Sequence, residues 1–295
     1  MTKRPPTNLP ASVHQLLLDK AHQTNRPFNE LLQYYVMERY LYRLSKSPHA
    51  PKFILKGALM FTAWRLESYR PTRDIDLLGK TTNQVDRVGA IAKEVCTQSV
   101  EPDGVIFNPN TVTGTTIAEN ANYEGVRIRF QANLGTARVT LQPDIGFGDV
   151  IVPGPQPIEY PTILDFPAPQ LRGYSKESIV AEKFESLVTL GILNSRMKDY
   201  FDLWTLSRQF DFDGQTLGNA VAKTFSNRGT KISAEPVGLT AQFADDPTKK
   251  AQWRGFVRKS RLDTSSDLAE VLFAVARFLQ PVATALSAGR TFTGK

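Results

Sequence analysis

The stretch Arg70-Pro71-Thr72-Arg73-Asp74-Ile75-Asp76-Leu77-Leu78-Gly79 decides how this chain is read. Asp74 to Leu78 has the composition of a strand, and side chains alternate along a strand. Asp74 and Asp76 therefore share one face, while Ile75 and Leu77 take the other, core-directed face. Two like charges side by side repel, so the fold alone gains nothing from them. A hard divalent cation that takes oxygen ligands, Mg2+ or Mn2+, relieves that repulsion. A solvent-facing strand edge that carries two acids would look the same locally, so the flanks have to decide.

Upstream, Phe53-Ile54-Leu55 reads as a strand, Lys56-Gly57 as a turn and 58–66 as a helix. A glycine between strand and helix is a place where backbone N–H groups can face a phosphate, although a plain tight turn uses glycine equally well. Further upstream, 12–24 and 28–46 carry apolar residues at helical spacing, and Ser47-Pro48 ends the second. Downstream, 83–97 reads as a helix, and 105–107, 111–117, 126–134 and 137–147 as β-branched, alternating strands. In the last of these, Val139, Leu141, Ile145 and Phe147 form one face, and Thr140, Gln142 and Asp144 the other. Asp144 thus joins a polar sheet face of the same kind as Asp74 and Asp76. Three carboxylates on neighbouring strands suit a two-metal site for phosphoryl or nucleotidyl transfer.

Residues 152–173 hold Pro153, Pro155, Pro157, Pro161, Pro167 and Pro169, which reads as a connector or extended arm. The domain boundary is placed there, giving 1–168 and 169–295. Beyond it the chain reads as helices at 176–190, 198–210, 214–226, 249–259 and 266–280. Helices, then a mixed block, then helices predict an α+β protein with a mixed sheet and a helical C-terminal domain. In the first C-terminal helix, Lys183 falls in the apolar stripe of Ile179, Leu187 and Leu190. A lysine there must snorkel out, pair with an acid or face a cleft. Asp199 and Asp202, three apart, share a face of the next helix. Asp199 could hold Lys183 or act as a base, or simply complement a helix N-terminus.

Composition narrows the classes. Thirty-six basic and twenty-nine acidic residues in 295 give a net charge of +7, which favours a polyanionic partner. The single cysteine, Cys96, allows no intrachain disulfide. The N-terminus has no apolar segment of the signal-peptide kind. The most apolar stretch, 53–66, is broken by Lys56 and Arg65, so no membrane span is expected and the cytoplasm is the expected compartment. No zinc, Walker or dinucleotide motif is present.

Together, Phe53-Ile-Leu-Lys-Gly-Ala-Leu-Met-Phe61, Thr72-Arg-Asp-Ile-Asp-Leu77, Ala181-Glu-Lys183 and Arg196-Met-Lys-Asp199 resemble the AbiEii/AbiGii toxin family. That family lies in the DNA polymerase β-like nucleotidyltransferase superfamily and includes the MenT-type toxins. The resemblance runs from about Ser12 to Pro281. It implies a bilobed nucleotidyltransferase, with the catalytic domain in 1–168. It also implies toxin–antitoxin biology with a cognate antitoxin encoded nearby, and transfer from an NTP to RNA, notably tRNA 3′ ends. On this resemblance Asp74 and Asp76 are the metal pair, with Asp144 matching the superfamily's third carboxylate. Lys56, Gly57, Thr72, Arg73 and Lys183 fall to the nucleotide, and Asp199 is the acid after the family lysine. Ala58 departs from the Gly or Ser often found after the turn glycine, which removes a hydroxyl contact to phosphate.

Two other readings stay open on the residues alone. The same chemistry on a small molecule, as in aminoglycoside nucleotidyltransferases, is disfavoured by the basic charge. A non-catalytic RNA-binding protein is disfavoured by the intact Asp74/Asp76 pair. Lys249, Lys250, Arg254, Arg258, Lys259 and Arg261 crowd one C-terminal helix with Trp253 and Phe256 interleaved. They form either a solvated helix face with inward aromatics or an RNA-backbone track.

Overall fold

The computed structural model describes residues 8–66, 70–120, 123–262, 264 and 266–294. Seven strands form one mixed sheet: β1 (Phe53–Lys56), β2 (Asp74–Gly79), β3 (Val105–Asn120), β4 (Tyr123–Leu134), β5 (Ala137–Phe147), β6 (Gln156–Glu159) and β7 (Gln170–Gly173). Their order is β3-β4-β5-β2-β1-β7-β6. The β2–β5 and β1–β7 pairs are parallel and the others antiparallel. Four helices accompany the sheet: α1 (Leu9–Thr24), α2 (Phe28–Lys46), α3 (Leu59–Ala63) and α4 (Val85–Cys96). Six more follow: α5 (Lys176–Leu190), α6 (Met197–Gln209), α7 (Gly214–Arg228), α8 (Ala241–Asp245), α9 (Pro247–Ser260) and α10 (Leu268–Ser287). The expected class, a mixed-sheet α/β core followed by a helical region, holds.

The chain forms two compact units. The first comprises residues 1–65, 71–148 and 156–173, and the second 66–70, 149–155 and 174–295. The proline-rich stretch supplies β6 and β7 to the sheet rather than serving only as an arm, so the first unit continues past 168 to Gly173. Sequence periodicity misses these two strands because each is four residues long, too short to show a period. The sheet packs its apolar residues Ile75, Leu77, Ile128, Phe130, Leu141 and Ile145 into the core of the first unit. α2 is buried along nearly its whole length, including Glu38, Arg39 and Arg43. Its buried charges are matched. Arg43 donates to both oxygens of Asp103, and Glu38 accepts from the Ile163 N–H at 2.7 Å and pairs with Arg39. α3 is much shorter than the 58–66 helix expected, ending at Ala63.

In the second unit, α10 corrects the expectation that no stretch is apolar enough to span a membrane. Its 20 residues reach a mean hydropathy of 1.4, sufficient by length and composition. Here Leu268, Val271, Leu272, Val275, Leu279 and Val282 recur at spacings of three and four and form a buried face, as in a core helix.

Candidate active site

The site in the first unit is a row across four neighbouring strands. Lys56 on β1 stands opposite Asp76 on β2. Asp76 stands opposite Asp144 on β5, and Asp144 opposite Arg127 on β4. Directly opposed residues share a sheet face, so the row reads cation, acid, acid, cation. One step along, Asp74 stands opposite Gln142. The register thus brings Asp74, Asp76 and Asp144 onto one face, as the alternation of each strand predicts.

Their partners differ. Arg127 grips Asp144 with two hydrogen bonds, 2.8 and 2.6 Å long. That bonding holds the guanidinium above its ordinary pKa against the effect of burial, with Asp74 and Asp76 adding to the pull. Asp74 Oδ1 accepts from Gln142 Nε2 at 3.2 Å, and Gln142 in turn accepts from Arg129 at 2.9 Å. Asp76 lies against Gly57. A Cβ placed on Gly57 would sit 2.1 Å from Asp76 Oδ2, so the missing side chain is the space the carboxylate occupies. Gly57 also has φ +70°, a left-handed conformation that side chains disfavour. Two independent constraints therefore require glycine at this turn. Thr72 fixes the entry to β2. Its Oγ1 accepts from the Asp74 N–H at 3.3 Å, and its own N–H donates to Tyr34 Oη at 3.0 Å. Arg73 is exposed and Lys56 is buried.

Oxygen donors on alternate positions of one strand share a face and fit a divalent cation. Among the described residues no three acidic, histidine or cysteine side chains converge as a metal-binding group. The fit is therefore to the pair Asp74 and Asp76, with Asp144 beside them but both its oxygens committed to Arg127. Mg2+ is commonly bound through one or two carboxylates, with waters and substrate phosphates completing its shell.

The second unit holds a buried ion network around the lysine that interrupts the α5 stripe. Lys183 Nζ donates to Asp199 Oδ1 at 2.8 Å and to Asp202 Oδ2 at 2.6 Å. Both carboxylates are fully buried. Arg196 donates to the other oxygen of Asp199 at 2.6 Å. Arg70 grips both oxygens of Asp202, each at 2.9 Å. Burial alone would raise the Asp199 carboxyl, but Lys183 and Arg196 hold it well below the usual carboxylate range. Burial works against the Lys183 ammonium, and the two aspartates outweigh it, so its pKa is raised. Of the three ways to place Lys183, pairing with acids is the one the structure shows. Arg70 is a participant that sequence reasoning missed, and Asp202, read only as sharing a face with Asp199, proves to be a second partner of Lys183. Arg70 heads the quoted stretch, but a partner 132 positions away leaves no local signal. Arg127 was also missed, although its alternation with Val126 and Ile128 marks it as facing the polar side.

A family model for the nucleotidyl transferase AbiEii toxin of type IV toxin–antitoxin systems matches residues 39–277. The crystal structure of JHP933 from Helicobacter pylori is similar in fold, with a TM-score of 0.51 at 16% identity, covering 88% of this chain and 94% of that one. A second H. pylori crystal structure, of a protein provisionally assigned as a nucleotidyltransferase, aligns at TM-score 0.47 and 16% identity, covering 89% of this chain and 98% of that one. No curated protein sequence matches the chain significantly.

Proposed function

This chain belongs to the AbiEii family of nucleotidyl transferase toxins of type IV toxin–antitoxin systems, and from that membership we propose that it transfers nucleotides from an NTP to the 3′ end of tRNA in a Mg2+-dependent reaction. The observation that carries the reading is the Asp74/Asp76 face set against the Gly57 turn, where the glycine leaves room for the Asp76 carboxylate. Two carboxylates on one strand face repel, and a divalent cation between them would relieve that repulsion. Asp74 and Asp76 are the ligands in this reading. When bound, the metal stabilises charge on the attacking and leaving oxygens.

The chain's own groups do the rest. The Gln142 amide holds Asp74 in place, and the Thr72 hydroxyl fixes the backbone ahead of it. Arg127 neutralises Asp144, which lowers the repulsion the metal pair would otherwise meet. Lys183 is the phosphate-facing cation. Two of its three N–H donors are bound by Asp199 and Asp202. Asp199, ionised and shared between two cations, holds Lys183 rather than accepting a proton from the acceptor hydroxyl, since a carboxylate of depressed pKa is a poor base. A cognate antitoxin is the expected protein partner, and the cytoplasm the expected compartment.

The test is incubation of the purified protein with each α-labelled NTP, bulk deacylated tRNA and Mg2+, with and without chelator. Chelator-sensitive label in tRNA, lost in Asp76→Asn, is the expected result. Label in a small-molecule acceptor instead, or none in any acceptor, would overturn it.

A further inference from the structure

We infer that the exposed face of α9 is a docking track for the sugar-phosphate backbone of the RNA acceptor. The proposal rests on the transferase reading only for the identity of the polyanion. From Pro247 to Arg261 the chain carries six cations and no acid. Two of the six are used structurally. Lys249 is buried and donates to the Asn194 carbonyl at 3.0 Å, and Lys250 pairs with Asp245 at 2.9 Å. Arg254, Arg258, Lys259 and Arg261 are exposed. Among the described residues none of these four has a side-chain hydrogen bond or ion pair. Arg254 and Arg258 are four apart and share one face of the helix, and Arg261 follows as its left-handed C-cap.

Helix-dipole complementarity explains a cation or two in the last turn. It does not explain Arg254, a full turn earlier, nor the absence of any acid to interleave. The track is also rigid. Asp246 caps the helix by accepting from the Lys249 N–H at 3.0 Å, with Pro247 next. Trp253 is buried and donates to the Ser266 carbonyl at 3.1 Å, and Phe256 packs on Phe201 and Trp253. Those inward aromatics decide the class of partner. A membrane-surface helix needs an outward apolar face to insert, and a protein interface needs an aromatic or aliphatic anchor at its centre. α9 turns its aromatics inward and offers three guanidinium groups and the Lys259 ammonium, the chemistry of sequence-independent phosphate contact.

The test compares Arg254→Gln/Arg258→Gln/Arg261→Gln with a control of equal charge change on the first unit, Arg87→Gln/Lys93→Gln/Arg138→Gln. Binding of fluorescent bulk tRNA is measured without NTP or metal across a salt series, with thermal melting as the fold check. Loss of three phosphate contacts should make the slope of log affinity against log salt shallower by about 2–3. The control should keep the wild-type slope. In transfer assays the α9 variant should raise the KM for tRNA at least tenfold and leave kcat unchanged. Wild-type slope and affinity in the α9 variant would overturn the proposal, as would an equal loss in the control, which would reduce the effect to net charge. Loss of binding to anionic vesicles with tRNA binding intact would also overturn it, assigning the face to a membrane. Tight, α9-dependent tRNA binding in a protein that labels no RNA would support the track and count against the transferase reading instead.

Discussion

Lys183 on α5 and Asp202 on α6 are joined by a 2.6 Å ion pair, and Arg70 holds the opposite side of the same carboxylate. Lys183 thus stands in an apolar stripe without breaking it, because its charge is answered twice, by Asp202 and by Asp199. With Arg70 and Arg196 counted, three cations meet two anions. The network keeps one surplus positive charge.

This relationship changes what Lys183→Met should do. The helical stripe alone predicts that methionine would be accommodated. The structure predicts destabilisation of about 1.5–3 kcal/mol, because each buried carboxylate loses a charged hydrogen bond while keeping its arginine. Lys183→Arg should keep most of the stability and only part of the activity, since a guanidinium fork cannot copy an ammonium's contacts. Denaturant unfolding of the variants, beside transfer kinetics, checks both. A methionine variant as stable as wild type would mean that the network contributes little.

Asp74→Asn and Asp76→Asn should each abolish transfer while leaving the melting temperature equal to or slightly above wild type, because each relieves repulsion in the metal-free pair. Gly57→Ala should reach the same inactive endpoint by another route. Its Cβ would meet the Asp76 carboxylate, and the left-handed backbone adds strain on the order of 1–3 kcal/mol. Calorimetry and labelled-NTP transfer separate the two. An active Gly57→Ala would remove the turn from the site.

Asp144→Asn should cost far less activity than Asp76→Asn, because both Asp144 oxygens are already committed to Arg127. The pair is partly exposed, so its loss should change stability by about 1 kcal/mol or less. Equal loss of metal-dependent transfer in the two variants would restore Asp144 to the metal set.

Stability should fall as pH rises toward neutrality. Burial pushes the Glu38 carboxyl up to about 7, against the pull of Arg39. The folded chain therefore keeps a proton that the unfolded chain gives up from about pH 4.3. That contribution is complete below about pH 4.3 and is lost as pH climbs through about 7. Glu38→Gln should flatten this decline, which cannot exceed about 1.4 kcal/mol per pH unit. Melting curves across the window, for wild type and variant, give the comparison. Parallel curves would mean that Glu38 ionises normally.

Much of the site was determined by local sequence. Strand alternation alone put Asp74 and Asp76 on one face and Asp144 on a polar face, because the two-residue period is a property of the backbone. Helical spacing alone marked Lys183 as out of place in its stripe. The family resemblance came from the order of short segments along the chain. The tertiary structure decided which groups answer which. Arg127 meets Asp144 only through the β4–β5 register, and Arg70 meets Asp202 across 132 positions. β6 and β7 become strands only because β1 offers an edge for β7 to pair with. Ion pairs and short strands take their energy from long-range partners. Such partners leave no period in the sequence, and their charges become legible only when folding brings them into contact.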